Sequence, residues 1–179
     1  MTSKTRILIW IAVFPAMMAA TAGIAIPFAG LPPITLQTLF VYLAGLLLNW
    51  KHAATAMFVY VLLGTIGLPI FSNYRGGLEV LVGSSGGFLI GFILVAGLIA
   101  FFKNVIIINK PFWDRTIILF GATTILYLIG ASYIAVLYDM NYWLVLGGFY
   151  LYLPGDIVKI VVASYVHVRI RSHVTYESS

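Results

Sequence analysis

Charged residues cut this chain into apolar runs of bilayer length, and that division limits its possible folds more than any other feature. A hydrocarbon core about 30 Å thick takes about 20 mostly apolar residues per helix. Cutting the sequence at its charges and Pro/Gly clusters gives six such segments, at about 7–26, 35–50, 53–71, 84–102, 116–138 and 144–168. The residues are 62% hydrophobic and 8% charged, against about 25% charged in an ordinary soluble domain. Mean hydropathy is +1.06. The expectation is an all-α, multi-pass integral membrane protein in which residues 1–179 form a single membrane domain. The opening MTSKTR and its apolar run have the look of a signal peptide. The run exceeds the usual length of about 7 to 15 residues, so it is read as a signal-anchor helix.

Orientation follows from the loops. With six spans both termini share a side, and that side carries Lys4, Arg6, Lys51, Lys103, Lys110, Arg115, Arg169 and Arg171, whereas the other carries only Arg75. Excess Lys and Arg mark the cytoplasmic face, so both termini are expected there. Counting back from Arg169 at about 1.5 Å per residue puts Asp156 roughly 20 Å from the cytoplasmic helix end. A pocket at that depth opens outward.

Only the last span holds an acid and a base away from its ends, Asp156 and Lys159. Ionisable residues inside a bilayer are costly and mark functional sites by default. Positions i and i+3 share a helix face about 5 to 6 Å apart, so the two groups point into one space suited to a small polar ligand. Pro154 and Gly155 before them suggest a helix restart whose free N–H groups face that ligand. Mutual neutralisation without a ligand is the alternative.

Other stretches carry weaker signals. Ala12, Ala16 and Ala20 recur at the spacing that lets membrane helices approach closely, serving either packing inside the domain or docking of a second subunit. The segment from Gly76 to Gly91, with Ser84 and Ser85 inside it, is too glycine-rich for a helix chosen on propensity. Non-helical backbone at membrane depth needs protein or a cavity around it. The stretch therefore wraps a ligand, with Asn73, Arg75, Ser85 and Gly86 as its polar groups, or packs tightly on a neighbour. Thr35, Gln37 and Thr38 fit an N-cap or pocket contacts equally, and Tyr127 is favoured only by position. With no cysteine, thiolate chemistry and Cys-based metal sites fall away. His52, His167 and His173 are scattered near helix ends and are read as interfacial, so no metal and no cofactor are expected. No phosphate-binding loop ending in Lys and Ser or Thr is present.

Taken in order, PPITLQTLFVYLAGLLLNW from Pro32, YVLLGTIGLPIF from Tyr60, GGLEVLVGSSGGFLIGF from Gly76, YLIG from Tyr127 and LPGDIVKIVVA from Leu153 resemble the BioY family. These are the biotin-specific S components of energy-coupling-factor (ECF) vitamin transporters. The resemblance covers nearly the whole chain. It implies an S-component-like bundle of six helices in the cell membrane of a prokaryote, which captures biotin outside and moves it with a transmembrane coupling subunit and two ATPases. It also implies biotin contacts at Asp156 and Lys159, one at Asn73, and docking of the coupling subunit on Ala12, Ala16 and Ala20. One departure stands out. Where the family reads Gly-Pro-Thr-Gly-Gly-Tyr, this chain reads Gly83-Ser84-Ser85-Gly86-Gly87-Phe88, keeping a hydroxyl at Ser85 and losing a phenol at Phe88.

In such a pocket Lys159 pairs with a carboxylate or orients Asp156. Asp156 or Asn73 accepts urea N–H groups, Ser85 or a glycine N–H donates to the urea oxygen, and Phe71, Tyr74 and Phe88 cover the rings. The competing reading is a proton-coupled carrier of a small carboxylate using Asp156, for which internal repeats are the usual sign. No repeat relates the two halves. An enzyme would need a nucleophile and base or a metal constellation, so no catalytic residue is assigned.

Overall fold

A computed structural model of the chain describes residues 3–28, 31–106 and 110–170. Arg171 and His173 lie outside the described residues. The chain forms α1 (Ser3–Ala20), a hairpin of β1 (Ala25–Phe28) and β2 (Leu31–Thr35), then α2 (Gln37–Leu47) and α3 (Trp50–Thr65). There follow the one-turn α4 (Leu78–Leu81), α5 (Gly86–Phe102), α6 (Pro111–Leu137), α7 (Tyr142–Gly148) and α8 (Leu153–Ile170). The all-α expectation needs one correction. The Pro-rich segment expected as an outer loop contains two antiparallel strands, with Ala25 opposite Thr35 and Ile26 opposite Ile34. Proline is tolerated in a two-stranded ribbon because both strands are edges and their missing N–H groups can face away from the ladder.

Two stretches are long and apolar enough to cross a bilayer by length and composition, Pro111–Leu137 with mean hydropathy 1.9 and Tyr142–Ile170 with 1.5. Gln37–Leu47 and Gly86–Phe102 are apolar but shorter. Large apolar side chains such as Phe58, Leu62, Ile90, Ile117, Val136 and Val158 are exposed on the outside of the bundle. That is how a surface solvated by acyl chains is built, because lipid is as apolar as the side chains it meets.

The central element is α2. Its residues from Phe40 to Leu46 are all buried, and it packs against α5, α8, α3 and α1. At 11 residues it is only about 16 Å long, and the backbone groups left free at its ends need partners. At the first end Thr35 Oγ1 accepts the Gln37 N–H at 3.2 Å. At the other, the Lys103 ammonium donates to the carbonyls of Gly45 at 3.2 Å, Leu46 at 3.0 Å and also Leu48, and Arg115 Nη1 donates to the Lys103 carbonyl at 2.5 Å. Lys103, read from sequence only as a cytoplasmic loop charge, is thus the C-terminal cap of a short buried helix.

The span expected over 144–168 is two helices joined by a 3-10 turn at Phe149–Tyr152. Pro154 explains the break, since it has no N–H with which to continue the helical ladder to the carbonyl of Tyr150. The Leu153 N–H takes that carbonyl instead. Asp156 lies in the first turn of α8.

On α1, Phe14 and Met18 are buried, while Ala12, Ala16 and Ala20 are exposed. The stripe is therefore not buried against the other described residues.

Candidate functional site

At the hairpin end of α2, strand β2, the starts of α2, α5 and α8, the middle of α6 and the 149–152 turn enclose a cavity. Its empty volume, with the open mouth included, is about 490 Å³. Gln37, Thr38, Ser85, Tyr127, Asp156 and Lys159 are among its polar residues, and Pro32, Ile34, Phe88, Leu89 and Phe92 form much of its apolar wall.

The helix spacing that suggested Asp156 and Lys159 produces a direct ion pair. Lys159 Nζ lies 2.8 Å from Asp156 Oδ1, and the two residues are 8% and 3% exposed. Desolvating two charges is repaid only where geometry is good and remaining donors and acceptors are satisfied, and neighbouring helices meet that condition. Tyr127 from α6 donates to Asp156 Oδ2 at 2.5 Å. Thr38 from α2 accepts from Lys159 Nζ at 2.9 Å and donates to Asp156 Oδ1 at 3.4 Å. Two of the three ammonium hydrogens are then used, and one remains. The result is a charge-balanced donor and acceptor side by side.

Aromatic rings support this group. Phe149 sits 5.3 Å from both Phe88 and Tyr127 and 5.5 Å from Tyr152, mostly edge to face, in the geometry that aromatic quadrupoles favour. The Tyr152 hydroxyl donates to the Pro32 carbonyl, tying the 149–152 turn to β2 across the cavity.

Of the sequence-expected residues, Gln37, Ser85, Tyr127, Asp156 and Lys159 therefore meet at one cavity, together with Thr35 and Thr38. Two others do not. Asn73 is exposed, and its neighbour Ser72 occupies the wall. Asn73 adopts φ 59° in a tight turn closed by a bridge between Phe71 and Arg75, and its N–H donates to the Ala22 carbonyl at 2.7 Å, so it holds the loop to the end of α1. Gly86 also lies off the wall. A Cβ there would fall 1.8 Å from the Leu81 carbonyl oxygen and 2.7 Å from the Tyr133 hydroxyl, so tight packing explains this glycine. Of the three aromatics expected over the ligand, Phe88 lines the cavity, Phe71 is buried against Tyr60 and Tyr74 is exposed.

Tyr152 and Phe92 were missed. Both lie four residues from a residue already singled out, Asp156 and Phe88, so helical spacing alone could have found them. Among the described residues no group of three His, Asp or Glu side chains is placed to hold a metal ion.

A helical bundle with an apolar outer surface and a small polar cavity at one end defines a membrane-embedded binding protein for a small molecule. The BioY family model matches residues 1–176, and the chain belongs to the BioY family. It is 35% identical over 175 residues to the biotin transporter BioY of Thermotoga maritima, covering 93% of this chain and 96% of that one. It is 32% identical over 169 residues to the BioY of Rhizobium etli, with 90% of each covered. Its fold matches the crystal structure of the S-component for biotin from an ECF-type ABC transporter with a TM-score of 0.86 at 26% identity, over 96% of this chain and 95% of that one. The protein is accordingly a membrane transporter component and not an enzyme.

Proposed function

We propose that this chain is the biotin-capturing subunit of an ECF transporter. It takes biotin from the outer side of the cell membrane through the cavity at the hairpin end, and moves it inward with a coupling subunit and two ATPases. The observation that carries the reading is the charge-balanced Asp156–Lys159 pair on the cavity wall of a BioY-family chain. Asp156 accepts a ureido N–H of biotin, the third N–H of Lys159 meets a ligand oxygen, Ser85 donates to another, and the aromatic wall around Phe88 covers the bicyclic ring. Each polar group of the ligand left without its partner costs about 1 to 3 kcal/mol, which rejects close analogues. The proton-carrier alternative is not favoured.

The six spans and cytoplasmic termini remain part of this reading, supported by the eight Lys and Arg assigned to one side against Arg75 on the other. Titration of the purified protein in detergent with biotin, followed by calorimetry, tests the function. One-to-one saturable binding of biotin without ATP, and none of thiamine or riboflavin, is the expected outcome. Absence of biotin binding rejects the assignment, and uptake by intact cells that persists without the ATPases rejects the proposed coupling.

The exposed stripe of Ala12, Ala16 and Ala20 is assigned to the coupling subunit, because small side chains let a partner helix approach closely. Ala16→Trp is expected to leave biotin binding by the isolated subunit unchanged and to abolish its co-purification with the coupling subunit. Undiminished co-purification removes the stripe from that interface.

A further inference from the structure

One wall of the cavity has its hydrogen-bond polarity dictated from a distance. The carbonyl oxygen of Ile70 can only accept, and the Tyr60 hydroxyl lies 2.9 Å from it, so the single Tyr60 hydrogen is committed there. The same hydroxyl oxygen lies 2.6 Å from the Gln37 amide. With its hydrogen spent, Tyr60 can only accept from Gln37, and the amide group facing it must be the NH₂. The other end of the amide, Oε1, is then the end left for the cavity that Gln37 lines. Thr35 Oγ1 donates to that oxygen at 3.4 Å, in agreement, and leaves it a second lone pair. Tyr60 is fully buried and its ring is held edge-on by Phe71 at 5.5 Å.

We propose that Tyr60 is a positioning residue that locks the Gln37 amide with its oxygen toward the cavity, making Gln37 an obligate acceptor that selects a ligand N–H. The proposal rests on the biotin-site reading and extends it: Asp156 accepts one ureido N–H and Gln37 the other. Without Tyr60 the amide is free to turn over and offer NH₂, so selection at that position relaxes even where binding persists.

The test uses two carbamate isosteres of biotin, in each of which one ring N–H is replaced by oxygen. They keep the size of biotin and turn a donor into an acceptor. Affinities of biotin and both isosteres are measured for the full chain and for Tyr60→Phe, Gln37→Met and Asp156→Asn. The native protein is expected to bind each isostere at least tenfold more weakly than biotin. The isostere whose penalty is lost in Gln37→Met should regain at least fivefold relative to biotin in Tyr60→Phe, while the other keeps its ratio. Loosened packing would move both ratios together, and equal movement, or no movement, in Tyr60→Phe overturns the proposal. Should Tyr60→Phe fail to fold, an isostere ratio unchanged between the native protein and Gln37→Met overturns it equally. If Asp156→Asn binds biotin normally and neither isostere is rejected, the cavity reading itself has failed.

Discussion

Lys159→Ala is expected to weaken biotin binding by more than tenfold and to lower the melting temperature of the protein in detergent. Lys159 Nζ is the cationic partner of Asp156 at 2.8 Å, and the carboxylate it leaves behind is 3% exposed. Removing one member of a buried pair costs roughly 3 to 5 kcal/mol, because the other charge stays buried and uncompensated. Tyr127 and Thr38 still donate to Asp156, which softens the loss without supplying a charge. Stability and binding separate in the double variant Asp156→Asn/Lys159→Met. Both charges are gone, so most of the melting temperature should return. The ligand contacts are gone too, so biotin affinity should stay more than tenfold down. Near-native affinity in Lys159→Ala removes the pair from the binding site. A double variant as unstable as the single one shows that charge burial is not the cause.

Much of this site was legible because it depends on local spacing. An acid and a base three residues apart on an apolar helix can point only to one side, and α8 presents Asp156 and Lys159 as that spacing requires. The long apolar runs of α5 and α6 were equally plain. What escaped was set by contacts distant in sequence. Thr38 joins the ion pair across 121 residues, and nothing near Thr38 distinguishes it from an N-cap. Thr35 takes the capping role instead, which frees Thr38 and Gln37 for the cavity. The helix restart at Pro154 and Gly155 was legible, but the 3-10 turn that precedes it was not, because hydrophobicity runs through Phe149–Tyr152 unbroken. Only the missing N–H of Pro154 marks the place, and it marks a helix start as readily as a break. The Gly-rich segment left two readings open, ligand wrapping or close packing, and at Gly86 burial against Leu81 and Tyr133 selects packing. Lys103 shows the same limit, since a basic residue after a helix looks like a loop charge until the short helix it caps is seen.

Gly130→Val should close the cavity without touching any polar residue in it. Gly130 is buried on α6 beneath the ring of Phe88, and a Cβ there would lie 2.3 and 2.5 Å from two ring carbons. The ring must move, and it has little freedom. Phe149 stands 5.3 Å away on one side, and Phe88 itself opens on the cavity. Displacement therefore narrows the space meant for the ligand. Overpacking of this kind costs about 1 to 3 kcal/mol, and biotin affinity should fall by at least tenfold. Gly130→Val/Phe88→Leu distinguishes a steric effect from damage to α6. A smaller, adaptable side chain at 88 relieves the clash, so the two substitutions should be strongly non-additive, with affinity recovering toward that of Phe88→Leu alone. Calorimetric titration of the four proteins in the cycle measures this coupling. Unchanged binding in Gly130→Val means that Phe88 does not border the ligand. Additive losses mean that the glycine serves the helix and not the cavity.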